Sequence, residues 1–144
     1  MANTANAEWN GDLKGGRGHF EVGDGSLSGD FSFKSRFEGE SEAGANPEEL
    51  IAAAHASCFS MALSNILAEH GHEPESVKTT VDVTLKIVDD EPTITKAAIK
   101  TVGKVPGIDA EHFAKHAEEA KEGCPVSKAL AGVGEMTLKT EFEG

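Results

Sequence analysis

"NPEELIAAAHASCFSMALSNILAEHG" occupies residues 46–71, and its reading decides the fold. Asn46 suits a helix N-cap, and Pro47 takes the first helical position, where its missing N–H costs nothing. Glu48 and Glu49 then lie at the positive end of the helix dipole. Beyond them the stretch is Ala, Leu, Ile, Met and Phe on nearly every side, until Gly71 offers a stop. A helix apolar all round is expected to be buried all round. One thiol, Cys58, sits inside it.

The flanks read mainly as strands. Upstream, "FSFKSRF" places Phe31, Phe33 and Phe37 among polar residues, as a half-buried strand would. "AEWNGDL" and "GHFEV" are shorter strands split by the turn "KGGRG". Downstream, "VKTTVDVTLKIV" puts Val77, Val81, Val83, Leu85 and Ile87 on one face. "DDEP" turns the chain and "TITKAAIKTVGKV" returns it. "DAEHFAKHAEEAKEG" is a helix with Ala110, Phe113, Ala117 and Ala120 on one side. "CPVSKALAG" starts a short further helix with Pro125 in its first turn, and "EMTLKTEF" is a closing strand. The pattern predicts an α+β fold, an antiparallel sheet packed on a long buried central helix plus a second helix. With no linker, repeat or low-complexity tract, residues 1–144 read as one domain.

The net charge of -12 argues against nucleic acid and anionic membrane surfaces as partners. "MANTANAEWNGDLKGG" lacks the basic and apolar regions of a signal peptide, and no apolar run is free of polar residues for the length of a membrane span. A cytoplasmic location is expected. There the chain's two cysteines read as buried, metal-binding or catalytic rather than as a permanent disulfide.

Each thiol has two readings. Burial alone would make Cys58 inert; reactivity needs a nearby cation to hold the thiolate. Only Arg17 and Arg36 supply guanidinium groups. Cys124, in "GCPVS" before a helix start, either caps a turn or gains acidity from the helix dipole, which by itself nominates it as the more acidic thiol. The two are too far apart in sequence for a CxxC pair, and no histidine spacing suggests structural zinc. His112 and His116 are four apart on a helix, but without a third ligand they read as a solvated face. His55, three residues before Cys58, permits a Cys–His hydrolase pair, discounted because no third group orients it; packing or a backbone hydrogen bond is its plainer role. "GDGSLSG" and "KGGRG" lack phosphate-loop spacing and read as turns.

"NPEELIAAAHASCFSMAL" followed later by "GCPVSKAL", with "FKSRFEGE" and "VPGID", closely resembles the OsmC/Ohr family of peroxidases over nearly the whole chain. His55 resembles the OsmC branch, the Ohr branch tending to carry Tyr there. The resemblance implies thiol-dependent reduction of organic hydroperoxides, and more weakly of hydrogen peroxide, with no cofactor. It implies Cys58 as peroxidatic thiol, Cys124 as resolving thiol, Arg36 as the active-site arginine (Arg17 matches the Ohr-branch position) and Glu48 as the guanidinium's partner. It reverses the ranking drawn from the helix terminus. Further implications are an intertwined homodimer and a dithiol reductant, either a small dithiol or a lipoylated protein. Glu48 and Cys58 are ten positions apart, roughly 15 Å along a continuous helix. Glu48 would therefore serve Cys58 from a second copy, unless the helix starts late. The rival of another class is a non-enzymatic ligand-binding dimer with structural cysteines.

Overall fold

The computed structural model describes residues 1–40 and 44–144. They form two compact units, Met1–Leu50 and Ile51–Gly144, and the boundary falls inside the long helix.

In the first unit β1 (Ala5–Asn10), β2 (Arg17–Val22) and β3 (Leu27–Phe31) form an antiparallel sheet in chain order. A short helix, α1 (Phe33–Phe37), follows at once. "FSFKSRF" is therefore not one strand; it breaks at Ser32. The Ser35 N–H donates to Ser32 Oγ (3.2 Å) and the Ser32 N–H donates to Ser35 Oγ (2.9 Å), a reciprocal cap. Phe33 and Phe37 are four apart, the spacing of neighbours on a helix face, and their ring centroids lie 5.0 Å apart. The aromatic spacing that suggested a strand serves a helix instead.

The long helix α2 (Pro47–Glu69) begins as its sequence predicts. The Glu49 N–H donates to Asn46 Oδ1 (2.8 Å), and the Asn46 N–H donates to Glu49 Oε1 (3.2 Å). Beyond its end Gly71 takes φ +83, the left-handed conformation glycine adopts without strain. Within the second unit α2 buries one stripe, His55, Phe59, Leu63 and Leu67, at four-residue steps. Ala53, Ala54, Ser57 and Asn65 are exposed, and Met61 is 75% exposed. The expectation of burial all round is thus corrected: one face of the helix is covered in this chain. By length and mean hydropathy α2 could also cross a membrane, but its stripe lies in the protein core.

The second sheet holds β4 (Ser76–Val88), β5 (Glu91–Lys104) and β6 (Glu135–Phe142), in that order. β4 and β5 are an antiparallel hairpin turned by Asp89 and Asp90, both at positive φ (51 and 65). β6 pairs parallel to β5, from Lys96↔Glu135 to Gly103↔Phe142, so this sheet is mixed rather than wholly antiparallel. The intervening helices α3 (Ala110–Gly123) and α4 (Pro125–Ala129) are the crossover that a parallel pair requires.

Phe59, Leu63 and Leu67 of α2 pack with Val81, Ile99 and Val105, and with Phe113, Ala117, Ala120 and Cys124. Ala110, placed by the sequence on this face of α3, is exposed; His116 takes part in its stead. Gly103 has to be a glycine, because a Cβ there would run into the Phe113 ring. Hydroxyls set α2 against the sheet: Ser60 Oγ donates to Thr79 Oγ1 (2.8 Å), which lies 3.0 Å from Thr101 Oγ1.

Candidate active site

The crossover brings two cysteines together. Cys58 lies half-buried in α2, packed against the core, and Cys124 is fully buried between α3 and α4. Both are free thiols, and Cys124 Sγ donates to Cys58 Sγ at 2.8 Å. Cys124 is held in place by its own N–H, which donates to the Ala120 carbonyl (2.9 Å), and by its carbonyl, which accepts from the Lys128 N–H (3.0 Å). Two thiols in contact can share one two-electron oxidation, ending in a disulfide whose bond length is about 2.05 Å.

Burial pushes the Cys58 thiol above its ordinary range, the neighbouring Cys124 sulfur adds to the rise, and the Val126 N–H pulls the other way. The amide at the start of α4, which the sequence attaches to Cys124, is therefore aimed at Cys58. The net shift disfavours the Cys58 thiolate.

His55 is fully buried one turn before Cys58. Its Nε2 lies 2.8 Å from Ser127 Oγ, and its buried Nδ1 has no hydrogen-bond partner among the described residues. Burial pushes its pKa down, so the ring is held neutral. Neither nitrogen engages the thiol, which disposes of the Cys–His hydrolase arrangement. Ser127 escaped sequence reasoning. Its one signal was spacing: it follows Cys124 by three residues, as His55 precedes Cys58 by three.

The first unit builds a second constellation. Arg36 of α1 grips Glu48 in the first turn of α2: Nη2 donates to Oε1 at 2.8 Å, and Nε donates to Oε1 at 3.1 Å and to Oε2 at 3.3 Å. The carboxylate is almost buried (7% exposed) and the guanidinium side chain is 36% exposed, so the pair leaves the cation open to a ligand. The guanidinium carbon also stands 5.3 Å from the Phe37 ring centroid. Beside it is an apolar cleft of about 170 Å³, lined by Trp9, Leu13, Phe31, Phe33, Arg36, Phe37 and Pro47. Arg17, the other candidate, opens β2 opposite Asn10. α2 runs unbroken from Pro47 to Glu69, so the late helix start is excluded.

The remaining histidines go elsewhere. His112 Nδ1 lies 2.6 Å from Asp109 Oδ1. His116, read from sequence as solvated, is buried, with Nδ1 3.3 Å from Glu119 Oε2 and its ring 4.5 Å from that of His70. Among the described residues no three His, Cys, Asp or Glu side chains gather to hold a metal.

Comparison with known proteins gives a consistent result. The family of OsmC-like proteins matches residues 39–139. Peroxiredoxin OsmC of Escherichia coli is 51% identical over 138 residues, covering 95% of this chain and 94% of that protein. Organic hydroperoxide resistance protein OhrB of Bacillus subtilis is 31% identical over 128 residues, covering 88% of this chain and 91% of its own. Among solved structures, an organic hydroperoxide resistance protein OsmC from Legionella pneumophila superposes with a TM-score of 0.76 at 27% identity, over 96% of both chains.

Proposed function

The chain belongs to the OsmC-like family, and on that premise we propose that Cys58 is its peroxidatic thiol and Cys124 its resolving thiol. The protein is a cysteine-based peroxidase that reduces organic hydroperoxides. The observation that carries the assignment is the pair of free thiols at 2.8 Å, one half-buried and the other sealed in the core. The half-buried sulfur is the one a peroxide can reach, and it also receives the Val126 amide. The match over residues 39–139 crosses the boundary between the two units, which supports reading residues 1–144 as one domain.

In this mechanism the Cys58 thiolate attacks the terminal peroxide oxygen. The O–O bond breaks, and the alkoxide leaves and takes a proton to become the alcohol. Cys58 is now a sulfenic acid. The Cys124 sulfur displaces its hydroxyl, the Cys124 proton leaves with that hydroxyl as water, and a Cys58–Cys124 disulfide remains. An external dithiol, small or lipoyl-bearing, reopens it by exchange and is itself oxidised.

Arg36 supplies the cation that stabilises the thiolate and orients the peroxide, and Glu48 holds the guanidinium in place. We assign this pair to the site of a second copy. Glu48 and Cys58 are ten residues apart on one continuous helix, and the uncovered face of α2 around Met61 offers a surface for a homodimer. The apolar cleft beside Arg36 suits an organic substituent better than hydrogen peroxide. The reducing cytoplasm is the compartment that keeps both thiols ready.

The test uses reduced protein and a slight excess of cumene hydroperoxide, with thiol counting and mass-spectrometric mapping. Two thiols are lost and a Cys58–Cys124 link appears; Cys58→Ser abolishes the reaction, and Cys124→Ser accumulates a trappable sulfenic acid at Cys58. A sulfenic acid trapped at Cys124 instead would reverse the roles. No thiol loss would leave a binding protein with structural cysteines.

A further inference from the structure

We propose that His55 and Ser127 are positioning residues for the resolving step: their buried hydrogen bond holds Cys124 against Cys58 while the sulfenic acid waits. The inference rests on the thiol roles given above.

The geometry is a two-rung ladder. Cys58 and His55 lie one turn apart on α2; Cys124 and Ser127 lie one turn apart at the start of α4. One rung is the sulfur pair at 2.8 Å, the other is His55 Nε2 to Ser127 Oγ at 2.8 Å. A single contact between two segments is a pivot; two contacts one turn apart also fix their rotation. α4 has five residues, too few to be stable by itself, so its contacts set its place. The far side of Cys58 is already anchored through Ser60, Thr79 and Thr101.

Burial shows why this rung is strong and which way it points. His55 is fully buried and Ser127 is 5% exposed. With Nδ1 unpartnered, the proton belongs on Nε2: a bare ring nitrogen in the core is tolerated more readily than an orphaned N–H. Nε2–H therefore donates to Ser127 Oγ.

The rungs have different fates in the reaction. Once Cys58 carries a hydroxyl, the thiol-to-sulfur hydrogen bond of the reduced pair is disturbed, and the sulfur contact alone does not fix Cys124 in line for attack. The His55–Ser127 rung uses no reacting atom and survives unchanged. It preserves the alignment that makes condensation effectively unimolecular. Without it, the start of α4 loosens and the sulfenic acid persists long enough to meet a second peroxide. That peroxide transfers one oxygen to it, giving a sulfinic acid and a second alcohol.

The experiment is a single turnover with one equivalent of cumene hydroperoxide, comparing the wild type with Ser127→Ala, His55→Leu and His55→Gln. The first step is read as peroxide loss. The second is read by intact mass, as disulfide against a dimedone adduct on Cys58. Ser127→Ala and His55→Leu should leave peroxide loss within about twofold yet slow condensation about tenfold, the scale of one buried hydrogen bond. Their adduct yield should rise, as should sulfinic acid under excess peroxide. His55→Gln, whose amide nitrogen can stand near Nε2, should restore condensation. Ser127→Ala removes a single oxygen and decides the question even if His55→Leu does not fold. Condensation as fast as wild type in Ser127→Ala, or equal slowing of both steps, would overturn the proposal. Wild-type protein that forms no Cys58 adduct and no disulfide would overturn the thiol assignment, and the proposal with it.

Discussion

The Arg36–Glu48 pair and the Cys58–Cys124 pair solve opposite problems. The first joins residues twelve apart with full charges, a near-buried carboxylate and a half-open cation. Local chemistry builds it: the Ser32–Ser35 cap starts α1, and the Asn46–Glu49 cap starts α2. The second joins residues 66 apart, without charge, and depends on the whole crossover of the second sheet. The difference shows what the fold has to reconcile. In the proposed mechanism Cys58 must become an anion where burial resists charge, while Arg36 sits on a segment organised by its own neighbours. The mechanism proposed above requires the two to meet, and in it neither pair is competent alone.

Breaking the charged pair should therefore have the largest effect. Arg36→Met should cut kcat/KM for cumene hydroperoxide by about 10² to 10³, the scale of losing a preorganised charge partner. It should also move the rise of Cys58 thiolate absorbance at 240 nm to higher pH. A full rate loss with an unmoved absorbance titration would limit Arg36 to orienting the peroxide.

A mixing experiment sharpens the comparison by asking whose arginine serves whose thiol. Cys58→Ser and Arg36→Met chains are each inactive in this scheme. Unfolded together and refolded as statistical dimers, they should recover about a quarter of wild-type activity if the pair acts on the other copy, since half the dimers then carry one intact site of two. If the pair acts on its own copy, mixing recovers nothing.

The contrast also explains what could be read from the sequence. The long helix was legible from Asn46, Pro47 and Gly71, and the β4–β5 hairpin from strict alternation around Asp89 and Asp90, because each is a local signal. The segment after Phe31 was misread because Phe33 and Phe37 satisfy a loose alternation as well as a helical spacing, and Ser32 alone decides between them. The parallel placement of β6 was hidden because no residue within a strand reports the direction of its neighbour. At the site, all four residues proposed above come from the resemblance, and the backbone at the start of α4, which the sequence attaches to Cys124, also favours the Cys58 thiolate. Ser127 was invisible because its partner lies 72 residues away in the core.

The smallest effect expected is on stability, and it separates the buried pair from the surface by pH. Burial lowers the His55 pKa, so on acidification the unfolded chain takes up that proton first. The contribution of a neutral His55 is complete above about pH 6.5 and is lost as pH falls below it, with a slope of at most about 1.4 kcal/mol per pH unit. Cys58 behaves in the opposite sense. Its thiol is raised by burial, so its contribution is complete below about pH 8.5 and is lost as pH rises beyond that. The exposed carboxylates Asp24 and Asp109 are lowered by hydrogen bonds from Ser26 and His112, so their contributions fade only below about pH 4. Urea unfolding of the reduced protein between pH 5 and 9 should thus show a dome bounded by His55 and Cys58 of the same ladder. His55→Gln should flatten its acid side and Cys58→Ser its alkaline side, each leaving the other intact. An acid slope unchanged in His55→Gln would move that limb to other groups and remove His55 from the stability of the thiol region.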